Sequence, residues 1–220
     1  MSINIAIDGP AGAGKSTIAK MVSARLGYIY VDTGALYRAV ALYITENNIS
    51  DSDIPSSLKN ADVSLGFIDG VQRVFLGDRD VSDMIRTPEI SMSASRTSAI
   101  PAVREYLFST QQKIALENNV IMDGRDIGTV VLPNADVKIF LTATPEERAK
   151  RRYMELAVKP DSPSYEEILS DIKKRDFNDT NRTTAPLRQA DDAVLVDTTK
   201  LTLEESADII IKIISEKVGV

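Results

Sequence analysis

Apolar residues in this 220-residue chain fall into two patterns, short unbroken runs and longer stretches in which they recur at helical spacing. The runs Ile3–Ile7, Tyr28–Val31, Val120–Met122, Val137–Leu141 and Ala193–Val196, bounded by turn residues, read as strands. The periodic stretches predict helices over Lys15–Leu26, Ala35–Glu46, Ala102–Asn118, Pro145–Leu156, Tyr165–Asp176 and Leu203–Lys217. Three of these carry a start signal. Thr144 with Glu147, Ser164 with Glu167 and Thr202 with Glu205 each set an acid three residues after a hydroxyl, the pattern of a capping box. Strand and helix in alternation build a parallel sheet, here of five strands, with helices on both faces. The expected fold class is α/β in three layers, and ligands of such sheets bind beyond the carboxyl ends of the strands.

One stretch departs from the alternation. Val63–Ile68 and Val71–Leu76 flank Asp69-Gly70, a two-residue hairpin signal, and Gly77-Asp78 turns toward a third run near Val81. This predicts a small three-stranded antiparallel sheet inserted over roughly residues 61 to 84. Thr87-Pro88-Glu89 then starts another helix, with Pro88 in its first turn. No repeat, low-complexity tract or linker interrupts residues 1–220, which read as one domain.

Gly9-Pro10-Ala11-Gly12-Ala13-Gly14-Lys15-Ser16 matches the phosphate-loop (P-loop) pattern GxxxxGK[ST], between the first strand and the first helix. Glycines let successive backbone N–H groups point into one concavity at a helix N-terminus, where they cradle a triphosphate. Lys15 adds a point charge on the outer phosphates, and the Ser16 hydroxyl is placed to hold a magnesium ion. Residues 9–16, with Thr17 behind them, are the candidate triphosphate site.

Composition narrows the chemistry. With 43% hydrophobic and 26% charged residues the chain is of ordinary globular make-up, and no apolar run approaches the roughly 18 residues of a membrane span. The N-terminus lacks the basic-then-apolar order of a signal peptide, so the expected location is the cytoplasm. There is no cysteine and no histidine. Disulfides, thiolate chemistry, a histidine base and histidine metal ligands are excluded, which leaves carboxylates, lysine, arginine and oxygen-held metal ions. The net charge of -6 disfavours a nucleic-acid or membrane partner. From Arg148 to Arg188, however, ten Lys and Arg face seven Asp and Glu, a net of +3, so the remainder carries -9. That asymmetry suggests a local anion site. Nothing in the pattern requires more than a monomer.

Three further clusters bear on the second ligand. In Asp32-Thr33-Gly34-Ala35-Leu36-Tyr37-Arg38, Thr33 is placed to cap a helix that carries Tyr37 and Arg38 toward the sheet's carboxyl edge. In Asp123-Gly124-Arg125-Asp126-Ile127-Gly128, a buried strand ends in Asp123, where the magnesium-side acid of such folds is delivered, and Arg125 and Asp126 lie at the same mouth. In Glu146-Glu147-Arg148-Ala149-Lys150-Arg151-Arg152, the three arginines fall at i, i+3 and i+4, on one helix face. Arg175, Asp179 and Arg182 repeat a similar spacing downstream. Taken singly, each cluster also suits a capped surface helix, an Asp-Gly turn or a solvated charged face. Together, beside a phosphate loop, they suit phosphoryl transfer, in which the protein positions and neutralises a migrating group.

The segments IDGPAGAGKST, VDTGALYR, IRTPEI, IPAVRE, DGRDIGTVV, KIFLTATPEERAKRR and KRDFNDTNR through APL resemble the bacterial cytidylate kinase family, within the nucleoside monophosphate kinase group of P-loop proteins. The resemblance covers nearly the whole chain in order and includes the insert. It implies transfer of the γ-phosphoryl group of ATP to CMP or dCMP, giving CDP or dCDP and ADP, with Mg2+. It also implies roles for residues. Arg38, Arg125 and Arg182 would hold the acceptor phosphate; Ser95, Arg104 and Asp126 would read cytosine. Tyr37, Arg175 and Asp179 would meet the sugar, and Thr33 keeps the hydroxyl of a position that can be serine in relatives. Arg148, Arg151 and Arg152 would form a lid over ATP, within about residues 146–162, and the acceptor insert would span about 61–100. Lys15, Arg125, Arg148, Arg151, Arg152 and Arg182 are the candidate catalytic set; Ser16 and, through water, Asp123 are the candidate metal contacts. The base assignment has a physical rationale, because the cytosine amine can donate to Asp126 whereas the uracil carbonyl cannot. Arg96, beside Ser95, is expected to point elsewhere. The rival readings are a P-loop kinase for UMP, AMP or a shikimate-type acceptor, and a regulatory GTPase. The Asn-Lys-x-Asp segment by which GTPases usually read guanine is absent.

Overall fold

The computed structural model describes residues 2–68, 70–156 and 163–219. In chain order its elements are β1 (Asn4–Asp8), α1 (Lys15–Leu26), β2 (Ile29–Asp32), α2 (Thr33–Glu46), α3 (Ile54–Ser57), β3 (Val63–Ile68), β4 (Val71–Leu76) and β5 (Arg79–Asp80). They continue with α4 (Pro88–Thr97), α5 (Pro101–Glu117), β6 (Val120–Gly124), β7 (Val137–Thr142), α6 (Pro145–Leu156), α7 (Tyr165–Asn181), β8 (Val194–Asp197) and α8 (Leu203–Val218). A single π-helical turn, Ile127–Val131, follows β6.

The five strands expected of the main sheet all form, in the order β2-β6-β1-β7-β8 and all parallel. Alternate residues of β1 explain why the apolar runs are unbroken. Ile5 and Ile7 face Ile18, Val22, Ala207 and Ile210 on α1 and α8, whereas Ala6 packs with Met122, Ala115 and Ile127 on the other side. A strand covered on both faces has no solvent side to place polar residues on. The insert forms as expected, with strand order β3-β4-β5, antiparallel, and Ile68 paired with Val71. Asp69, of the predicted turn, lies outside the described residues. Val63 and Val74 of the insert share one apolar cluster with Leu36 and Val40 of α2, Ala94 of α4 and Leu107 of α5.

Three local expectations change. Asp32, not Thr33, caps α2: its carboxylate accepts the Ala35 amide, and Thr33 lies inside the helix with its hydroxyl donating to the Asp123 carbonyl at 2.8 Å. The capping boxes at Ser164 and Thr202 are complete. At Thr144 only half of the box forms, because its amide donates to Thr199 Oγ1 and the Glu147 carboxylate accepts from Arg151. Finally, α7 runs five residues beyond the predicted end, so Asp179 is helical and Arg182 is the C-cap. The last part of the expected lid, residues 157–162, lies outside the described residues.

Candidate active site

The chain leaves β1 at Asp8 and turns through residues 9–14 into α1. A Cβ on Gly9 would lie 1.9 Å from the Leu141 carbonyl oxygen, so only glycine lets the loop pass β7 here. Gly14 occupies the N-cap of α1 in the left-handed region, φ 86°, and no side chain caps the helix. The first-turn amides are thereby left for an anion. Lys15 is buried and donates to the Pro10 carbonyl at 2.8 Å. Burial pushes its ammonium well below the usual lysine range, and the Arg125 guanidinium pushes it further, against the opposing pull of Asp123 and Asp8.

Ser16 Oγ donates to Asp123 Oδ2 at 2.8 Å, and the Tyr30 hydroxyl donates to Oδ1 at 3.0 Å. Burial raises the Asp123 carboxyl above the ordinary range, and the nearby Asp32 carboxylate adds to the effect. A buried carboxylate in that condition is relieved by a cation. The structure therefore brings together the two residues expected at the metal. Asp8, next in the sheet, accepts the amides of Ile127 and Gly128 at 2.8 and 2.7 Å. Burial nevertheless raises its carboxyl to about 6.

On the other side of the crevice Arg38 Nη2 is paired with Asp32 at 2.8 Å, while its Nε is buried without a hydrogen-bond partner. Arg125 Nε donates to Asp179 at 2.9 Å. Arg182 donates through Nε to the Ala185 carbonyl at 2.7 Å; its Nη2 is buried without a hydrogen-bond partner, 3.7 Å from Asp126. The Arg175 side chain is exposed and makes no hydrogen bond or ion pair with a described residue. These cations crowd one another. Burial and then Arg104 lower Arg182. The Arg104 charge acting on Arg182 marks a region of positive potential, suited to phosphate.

Arg104 forms a buried ion pair with Asp126 and lies 5.4 Å over the Tyr37 ring. Tyr37, Arg104, Phe108, Gln111, Val131 and Ala185 line a cavity of about 320 Å³, large enough for a pyrimidine ring. Ser95 is half-buried on α4, and Arg96 turns away to pair with Asp51, as expected.

The arginines of α6 separate more than their spacing suggests. Arg148 is 2% exposed and fully committed. Its guanidinium donates to the carbonyls of Ala143 and Ala11, both at 2.9 Å, and to both oxygens of Asp176 at 3.0 and 2.5 Å. Arg151 donates to Glu147 and to Thr198, beside the phosphate loop. Arg152 is exposed and meets Glu155 at 3.1 Å. The expected single face of three arginines is thus replaced by one buried strut, one loop contact and one solvent-facing charge.

Over residues 5–216 the chain matches cytidylate kinase. The chain belongs to the cytidylate kinase family. A cytidylate kinase of Caldicellulosiruptor bescii is 57% identical over 206 residues, covering 92% of this chain and 91% of the relative. That of Carboxydothermus hydrogenoformans is 50% identical over 98% of each chain. Among solved structures, an uncharacterized protein from Eubacterium ventriosum superposes with a TM-score of 0.58 at 15% identity, covering 98% of this chain and 99% of the other. A gluconokinase from Sinorhizobium meliloti gives 0.51 at 12% identity, covering 99% and 95%. At those identities the likeness concerns the fold alone, the P-loop α/β architecture seen here. As a cytidylate kinase family member the chain is a nucleoside monophosphate kinase, using ATP and small-molecule nucleotide substrates. Among the described residues no helix is long and apolar enough to cross a membrane.

Several residues that build this family's crevice here escaped the sequence reading. Asp8, Asp32 and Asp176 orient the Ile127–Gly128 turn, Arg38 and Arg148; Asp8 and Asp176 are far in sequence from what they hold, whereas Asp32 holds residues three and six positions on. Gln72 and Gln111 are neutral, so no charge pattern could flag them.

Proposed function

We propose that this chain transfers the γ-phosphoryl group of ATP to CMP or dCMP in a direct in-line displacement. One observation carries the reading: two guanidinium donors are buried without hydrogen-bond partners, Arg182 Nη2 beside the Arg104–Asp126 pair and Arg38 Nε on the arginine held by Asp32. Buried donors of that kind are costly unless a ligand completes them, and a phosphate monoester flanked by a base does so. In this reading Arg38, Arg125 and Arg182 take the acceptor phosphate, and Tyr37, Arg175 and Asp179 take the sugar. Ser95, Arg104 and Asp126 take cytosine, with Thr33 fixing the turn. Gly9 to Thr17 hold ATP. The insert of about residues 61–100 covers the acceptor, and the segment of about 146–162 covers the donor, Arg151 reaching its phosphates while Arg148 braces the loop.

Ser16 and Asp123 fit a magnesium ion, since Mg2+ is commonly held by one or two protein oxygens plus substrate phosphates. No cluster of three acidic side chains exists among the described residues to cage it alone. The ion would supply charge neutralisation at the phosphates. The acceptor monoester is already largely ionised at neutral pH, so no strong base is needed, consistent with the absence of histidine. Donor and acceptor groups lie in one chain, which supports action as a monomer, and the net charge of -6 supports small anions rather than nucleic acid or membranes as partners. Cytoplasmic location accords with that role. The test is ADP release against CMP, dCMP, UMP and AMP. Activity with CMP and dCMP is expected; no acceptor-dependent ADP, or a preference for UMP or AMP, overturns the reading.

A further inference from the structure

β2 is the edge of the parallel sheet, and its last residue is held by a side chain from the insert. Gln72 of β4 accepts the Asp32 amide at Oε1, 2.8 Å, and donates from Nε2 to the Asp32 carbonyl, 3.2 Å. A side-chain amide here replaces a neighbouring strand for one residue. The carboxylate of the same Asp32 is divided between two tasks. Oδ1 caps α2 through the Ala35 amide at 3.0 Å, and Oδ2 holds Arg38 at 2.8 Å. A continuous chain of bonds therefore runs from the insert to the arginine whose Nε is left without a partner.

We infer that Gln72 is a positioning residue for the acceptor phosphate, setting Arg38 through Asp32 according to where the insert lies. The inference rests on the reading of Arg38 as an acceptor-phosphate contact. Packing does not require the amide. The insert is already joined to α2 by Val63, Val74, Leu36 and Val40, so an apolar residue of the same length would keep the hairpin attached. What the amide adds is register: two bonds of fixed direction on the residue that aims Arg38.

The test is a cycle of wild type, Gln72→Met, Arg38→Ala and the double variant, read by calorimetric CMP binding and by KM for each substrate. Methionine keeps the length and the apolar stem. We expect Gln72→Met to weaken CMP binding about tenfold, with KM for ATP within twofold, and to have no further effect once Arg38 is alanine. Gln72→Glu keeps an acceptor for the Asp32 amide and loses the donor, and is expected to fall between. Wild-type CMP affinity in Gln72→Met, or an equal loss with and without Arg38, overturns the inference while leaving the kinase reading intact. If Gln72→Met does not fold, wild-type affinity in Gln72→Glu overturns it. A wild-type chain that neither binds CMP nor releases ADP in its presence overturns both.

Discussion

The donor and acceptor halves of the crevice are built in opposite ways. The donor half is a contiguous loop whose binding groups are backbone amides, and its glycines exist to let the backbone through, as the 1.9 Å approach at Gly9 shows. Its nearby arginine, Arg148, is consumed by the protein itself. The acceptor half draws side chains from α2, α5, the β6 turn and α7, and leaves two of its guanidinium donors unsatisfied. One half is preorganised by being complete, the other by being incomplete. Removing a carboxylate partner of an arginine should therefore destabilise the first and disturb substrate handling in the second.

The largest effect belongs to the donor half. Asp176→Ala leaves the Arg148 charge buried with only two carbonyl acceptors, and loss of one partner of a buried pair costs about 3–5 kcal/mol. For a chain of this size that is a fall in melting temperature on the order of 10 °C. A variant that melts like wild type but turns over slowly would return Arg148 to a catalytic role. Next comes Arg182→Ala in the acceptor half. Its guanidinium has a free buried donor, and loss of a donor that meets developing charge lowers kcat by roughly 10²–10³-fold. KM for ATP should change little, and turnover near that of wild type would remove Arg182 from the transfer step.

The same contrast decides what could be read from sequence. Residues 9–16 and the β-α alternation are local patterns, so the loop, the five strands and the inserted hairpin were legible. The strand end also flagged Arg125 and Asp126, and spacing grouped Arg175, Asp179 and Arg182. It did not reveal which arginines are spent. Arg148 and Arg152 share a helix face by count, yet a carboxylate 28 residues from Arg148 takes one inward and leaves the other in water. Asp32 won the cap over Thr33 because the Thr33 hydroxyl has a better use on the Asp123 carbonyl, a contact across 90 residues. Long-range polar pairing has no period, and that is where the reading from pattern ended.

A smaller effect tests the acceptor half alone. Asp126→Asn converts one acceptor facing Arg104 into an amide that can donate, so the uracil carbonyl gains a partner and the cytosine amine loses one. Discrimination between CMP and UMP should narrow by about 1–3 kcal/mol, tenfold to a hundredfold in relative kcat/KM. An unchanged ratio would place base reading elsewhere in the Tyr37–Gln111 cavity.

The joint between the halves is tested by a change with pH rather than a loss at one pH, and its sign is informative. Asp8 ends the strand that feeds the phosphate loop, and its carboxylate pins the turn after Asp126. Burial raises its carboxyl from 3.8 to about 6, so between those values the folded chain binds a proton that the unfolded chain has lost. Stability from this group is full below about pH 4, falls as pH rises toward 6 by at most about 1.4 kcal/mol per unit, and is level above. Asp8→Asn cannot titrate. It also sets an amide against one of the two N–H donors, so the variant is less stable at every pH while its own curve lacks this slope. The difference in unfolding free energy, wild type minus variant, should therefore shrink from pH 4 to 6 and then hold constant. A difference that grows over that interval would mean the two amide bonds outweigh burial, leaving Asp8 an ordinary ionised clamp rather than a strained one between the donor and acceptor halves.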